Sequence, residues 1–146
     1  MYRLAGVCAL PAQHSLTARK RIHARDLRDQ SLILPSYADD TRSSLDHALR
    51  QAGVNQVPVI ETPYGATICA MVARGLGVGV VNPLATSDTN PARIVFRPFS
   101  PEVMFRGFTV CPQLQHSNPL VKAFLDLSKE TMATEAARLR DFAAAD

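Results

Sequence analysis

The chain has 146 residues, 47% of them hydrophobic, and its 16 Lys and Arg against 13 Asp and Glu give a formal charge of +3. That length suits one ordinary domain, or a lobe and part of another, and the apolar content suits a packed core and argues against disorder. The mildly basic balance is met by a solvated surface and does not by itself indicate nucleic acid.

Leu4–Leu10 reads as an apolar strand ending at Pro11. Gln13–Arg25 is polar and basic, the pattern of a surface connection. Ala24–Asp29 suits a short helix and Ser31–Leu34 a short buried strand, with the turn-rich loop Pro35–Asp40 after it. Asp40 or Thr41 can cap a helix running to about Ala52, on which Leu45, Ala48, Leu49 and Ala52 share a face. Gly53 is suited to stop it.

Val57–Glu61 is the next strand, and its proline marks a strand start or an edge. Thr62 can cap a following helix with Pro63 at its first position, running to Arg74 and stopped by Gly75. With the strand Gly77–Asn82 this makes a β-α-β unit with parallel strands. Leu84–Ala92 reads as a polar loop. Ile94–Phe99 and Met104–Cys111 are strand candidates on either side of the turn Ser100–Glu102. Asn118 and Pro119 open a last helix with Leu120, Val121, Phe124 and Leu127 on its apolar face, extending past Met132.

Catalytic signatures are missing. There is no P-loop, no G-x-G-x-x-G after a strand, no H-E-x-x-H and no G-x-S-x-G. Gly75, Gly77 and Gly79 precede a strand, where they serve a tight turn and close packing better than a phosphate. His14, His23, His47 and His116 lack metal spacing. Cys8, Cys69 and Cys111 are far apart and odd in number, which argues against disulfides and zinc and for a reducing cytosol. No apolar run reaches membrane length and no leader pattern follows Met1, so no membrane contact and a cytoplasmic location are expected. The basic cluster Arg19–Arg25 lacks interleaved aromatics, and the apolar Leu32–Leu34 breaks any helix-turn-helix reading of its surroundings. No enzyme and no cofactor are expected.

Two places stand out. The loop Ser36–Thr41 and the stretch Thr62–Thr67 each put hydroxyls beside a predicted helix start at the end of a strand. In open α/β sheets ligands bind at such carboxyl ends, where free N–H groups favour an anion. Capping accounts for one hydroxyl at each place. Ser36, Tyr37, Thr62, Tyr64 and Thr67 together exceed that need. Arg74 and Arg106 are candidate charge partners, though surface roles explain them better.

The ordered segments VCALPAQHSL, IHARDLRDQSLILPS, LDHALRQAGV, VIETPYGATICAMVARGLGVGVVNP and RPFSPEVMFRGFTVCPQLQHSNPLVKAFLDL resemble the effector-binding domain of LysR-type transcriptional regulators. The similarity covers roughly residues 4–130, and 61–83 is nearest the branch responding to amino acids and opines. The resemblance implies an α/β, periplasmic-binding-protein-like fold: a Rossmann-like subdomain with a mixed sheet beside an incomplete second one. On that reading residues 1–26 come from the first subdomain, 27–99 form a complete second subdomain, and 100–146 return to the first. It further implies a small anionic or amino-acid-like effector (an amino acid, opine or other small carboxylate) held by Ser36, Tyr37, Asp40, Thr62, Tyr64 and Thr67. A homo-oligomer is expected, with DNA reached only through a helix-turn-helix domain absent from this chain. The alternative is a stand-alone solute-binding or protein-interaction module.

Overall fold

The structure, a computed structural model, describes residues 2–87, 89–110, 112 and 118–144, with side chains as far as Leu139. The expected first strand is two strands. β1 (Tyr2–Ala5) and β2 (Val7–Pro11) part at Gly6, whose N–H donates to the Val103 carbonyl at 2.8 Å. A Cβ at Gly6 would lie 2.8 Å from the Phe105 ring, so only glycine lets the chain turn there without moving that side chain. β1 pairs with β8 (Met104–Gly107), while β2 enters the main sheet.

That sheet runs β3 (Ile22–His23), β7 (Ile94–Ser100), β2, β6 (Gly79–Val81). The Leu32–Val78 bridge carries it on through β4 (Ile33–Pro35) to β5 (Ile60–Thr62). β4, β5 and β6 are parallel, whereas β2 is antiparallel to both its neighbours. The result is a mixed sheet, as expected. β2 and β3 precede residue 27 yet lie in the same sheet as the strands of 27–99. β3 was hidden in a stretch that reads as polar connection, because two residues carry no periodicity; Ile22 is nonetheless fully buried.

Alternation along β2 sets the two faces. Cys8 and Leu10 join Leu34, Leu45, Leu49 and Phe99 beneath α1 (Asp40–Gln51). Val7 and Ala9 join Ile33, Ile68, Val72 and Ile94 beneath α2 (Gly65–Val72). One helix on each face is the α/β arrangement that parallel strands require. Gly53 and Gly75 stand just past these helices with φ of 73° and 76°, the left-handed stop read from the sequence.

Several elements depart from their expected bounds. Ala24–Leu27 is a 3-10 turn, and a further 3-10 turn, Pro83–Thr86, interrupts the expected loop. β5 starts at Ile60, leaving Val57 and Val59 exposed, because Pro58 has no N–H to offer an edge pairing. β8 ends at Gly107, and Phe108 and Val110 beyond it are exposed; Cys111 lies outside the described residues. The last helix, α3 (Pro119–Ala144), starts as expected, with Asn118 Oδ1 accepting from the Leu120 N–H at 3.0 Å. Its expected apolar face is not buried. Leu120, Phe124 and Leu127 are exposed and Val121 is half-buried, while Ala136 and Leu139, nearer its other end, pack on Leu4 of β1.

Candidate functional site

β4, β5 and β6 run parallel, so their carboxyl ends fall at one edge of the sheet and the turns leaving them start side by side. The Ser36 N–H donates to the Thr62 carbonyl at 3.1 Å, which ties the first two ends together. α1 is capped by Asp39 rather than Asp40 or Thr41. Its Oδ1 accepts from the Thr41 N–H at 2.8 Å, and Asp40 is the exposed first residue of the helix. α2 is capped by Tyr64, without a side-chain bond, and Pro63 stays outside the helix. Thr62 is two residues too early to cap. Its hydroxyl accepts from the Tyr64 N–H at 3.4 Å and shapes the turn instead.

A cavity of about 220 Å³ opens at this edge. Asp39 and Thr41 line it from the start of α1, Gly65 and Ile68 from the first turn of α2. Asn82 lines it from the end of β6. Phe105 and Arg106 on β8 close the remaining side. β8 belongs with β1 and, through β1, with α3, so the cavity is a cleft between the main α/β unit and this smaller unit. It gathers the starts of two helices with Asp39, Asn82 and Arg106, a set that suits a small ligand with an anionic group.

None of the six residues singled out from sequence lines this cleft; they are chain neighbours of residues that do. Ser36 and Thr62 meet through their backbones, Thr62 being buried and Ser36 half-buried. Thr67 is half-buried in the first turn of α2, its N–H donating to the Tyr64 carbonyl. Asp40, Tyr37 and Tyr64 are exposed. The residues lining the cavity include their neighbours Asp39, Thr41 and Ile68, together with Asn82, Phe105 and Arg106. Arg106 had been a candidate charge partner; the other, Arg74, donates to the Ala70 carbonyl at 3.2 Å on the surface of α2. Asn82 carried one legible signal, its place between a buried strand and a proline.

Arg42 braces the wall of the cleft. Only 1% exposed, it reaches Asp46 at 2.8 Å and Glu61 at 2.7 Å and donates to the Pro35 carbonyl. Burial works against its charge, but the hydrogen bonds and charges of Asp46 and Glu61 outweigh that and raise its pKa above the ordinary value. The thiols are inert by comparison. Burial pushes Cys69 up to about 11 and Cys8 higher still.

The LysR substrate binding domain family matches residues 2–133. The chain belongs to this family. Over 118 residues the domain is 36% identical to the transcriptional activator protein LysR of Escherichia coli (strain K12), a stretch covering 81% of the chain and 38% of that activator. The chain thus spans well under two thirds of that relative. The reduced OxyR regulatory domain of Pseudomonas aeruginosa superposes with a TM-score of 0.57 at 31% identity, over 70% of this chain and 50% of that one. The CcmR regulatory domain of Synechocystis PCC6803, solved in complex with 2-PG, shares the fold with a TM-score of 0.63 at 15% identity, over 86% of this chain and 61% of that one. The periplasmic-binding-protein-like class expected from the sequence is therefore the fold of this LysR substrate binding domain. Among the described residues no helix is long and apolar enough to cross a membrane.

Proposed function

We propose that this domain senses a small anionic or amino-acid-like effector in the cleft between its two units, without converting it, and belongs to a cytoplasmic transcription regulator. The observation that carries the reading is the cleft of about 220 Å³ onto which the starts of α1 and α2, Asn82 and Arg106 converge. Free N–H groups at the α2 start and the guanidinium of Arg106 hold a carboxylate. Asp39 spends one lone pair on Thr41 and keeps acceptor capacity for an ammonium group. An amino acid, an opine or another small carboxylate fits that pattern. Ser36, Tyr37, Asp40, Thr62, Tyr64 and Thr67 form the surrounding shell, contacting parts of a ligand that project from the cleft.

The mechanism is a population shift. An effector touching α1 and α2 on one side and β8 on the other binds best at one angle between the units and enriches that angle. In the whole protein that angle sets the arrangement of a homo-oligomer on DNA, which is reached through a helix-turn-helix segment. The resemblance to the activator LysR supports this reading.

A thermal-shift screen of amino acids, opines and dicarboxylates, followed by calorimetry on wild type and Arg106→Gln, tests it. Saturable binding weakened about tenfold or more in the variant is expected, the effect of one charge-assisted hydrogen bond. Binding of equal strength in the two proteins would refute the assigned role of Arg106 in the cleft.

A further inference from the structure

Asn82 stands where three parts of the molecule meet. It follows β6, caps the Pro83–Thr86 turn, and lines the cleft. Its Oδ1 accepts from the Leu84 N–H at 3.1 Å. That bond settles which way the amide faces, leaving Nδ2 as the donor side. One N–H of Nδ2 goes to the hydroxyl of Tyr2 at 3.0 Å, and the described residues give its second N–H no partner.

Tyr2 is held as firmly. It faces Gly107 across the β1–β8 ladder, and a Cβ on Gly107 would fall 1.9 Å from the tyrosine ring. The ring therefore fills the space a side chain at Gly107 would take. With Leu84 it packs against Leu4, Ala136 and Leu139, which joins β1 to α3. The bond from Asn82 to Tyr2 thus crosses from the main unit to the smaller one, along the wall of the cleft.

We propose that Asn82 is a ligand-contacting residue, its free N–H donating to a carboxylate or carbonyl oxygen of the bound molecule, and that the Tyr2 hydroxyl is the positioning residue that aims it. The proposal rests on the cleft being the effector site. A neutral donor beside Arg106 and the α2 start favours ligands with an oxygen acceptor there. Because its aim depends on the smaller unit, affinity for such ligands depends on how that unit is seated.

The test is heteronuclear NMR of the whole chain, wild type and Tyr2→Phe, first alone and then titrated with sodium acetate as a carboxylate probe. Without ligand, removal of the hydroxyl is expected to move the Asn82 side-chain amide resonances and speed their exchange with water, while the Val80 and Val81 backbone amides stay in place. Unmoved side-chain resonances would overturn the positioning role of Tyr2. Under titration, the Thr41 and Gly65 backbone amides and the Asn82 side-chain amide are expected to shift with one common apparent constant. That constant should weaken about three- to tenfold in Tyr2→Phe, the effect of one misaligned hydrogen bond. Shifts at Thr41 and Gly65 with none at Asn82 would overturn the contact while leaving the cleft reading intact. No shift at any of the three would overturn the contact together with carboxylate binding in the cleft.

Discussion

The guanidinium of Arg42 lies 4.2 Å from the centre of the Tyr37 ring, so the exposed aromatic at the end of β4 covers a buried cation. Arg42 rises from the first turn of α1, accompanied by Asp46 one turn later. Glu61 comes from β5 and the Pro35 carbonyl from β4. One side chain thus fastens two strand ends and a helix start, the backbone on which half of the cleft is built. Arg42→Ala leaves two carboxylates and a carbonyl without their donor. Urea denaturation is expected to show a loss of about 3 kcal/mol. Arg42→Met, which keeps the volume, should also destabilise, because Asp46 and Glu61 still lose their partner. A loss well under 1 kcal/mol for Arg42→Ala would contradict the bracing role.

Gly79 sets the distance between β6 and β4. A Cβ there would lie 2.6 Å from the Ile33 carbonyl oxygen and 2.7 Å from Ile68. The first contact is backbone and cannot swing aside. Gly79→Ala is therefore expected to destabilise by about 1–3 kcal/mol in denaturant unfolding, the range for overpacking a tight core. An alanine variant as stable as wild type would show that the strands part freely.

Cys69 gives the domain an alkaline limit. Its thiol donates to the Ala85 carbonyl at 3.6 Å, and burial raises its pKa from 9.0 to about 11. The unfolded chain ionises this thiol first, so its contribution is intact below pH 9 and is lost as pH rises toward 11. Thermal midpoints measured across that interval should fall in wild type and fall less in Cys69→Ala. Parallel curves for the two proteins would contradict the assignment. Near pH 7 a thiol-reactive dye should label native Cys69 far more slowly than the unfolded chain.

The unburied face of α3 bears on association. Leu120, Phe124 and Leu127 follow helical spacing and are 80%, 66% and 63% exposed. Apolar stripes of this kind mark contact surfaces. Sedimentation velocity is expected to show concentration-dependent self-association, reduced in Phe124→Glu with helix content unchanged. A wild-type chain that remains monomeric at high concentration would oppose this.

The elements with the strongest periodicity were legible in the sequence. Leu45, Ala48 and Leu49 marked the buried side of α1, and Gly53 and Gly75 marked the left-handed stops. Short elements escaped. β3 has two residues, and its burial comes from its partner β7 rather than from its own pattern. The division of the first strand at Gly6 was invisible because both halves are apolar; what separates them is β8, about a hundred positions away. The site was legible as a neighbourhood. Hydroxyls at strand ends pointed to the edge of the sheet where the cavity opens, but with the caps shifted by a residue or two it is Asp39, Thr41 and Ile68 that line it. Asn82 joins them through the place of β6 beside β4, and Arg106 through the pairing of β8 with β1, long-range contacts that no local pattern encodes.

The most direct test of the effector cleft is a crystal structure of the domain grown with the tightest-binding compound from the thermal-shift screen. The account predicts that compound between Asp39 and Gly65, its anionic group at the start of α2 and within reach of Arg106. A compound seated instead in the apolar groove of about 300 Å³ beside Cys69, Leu84 and Ile94, with the cleft empty, would contradict it.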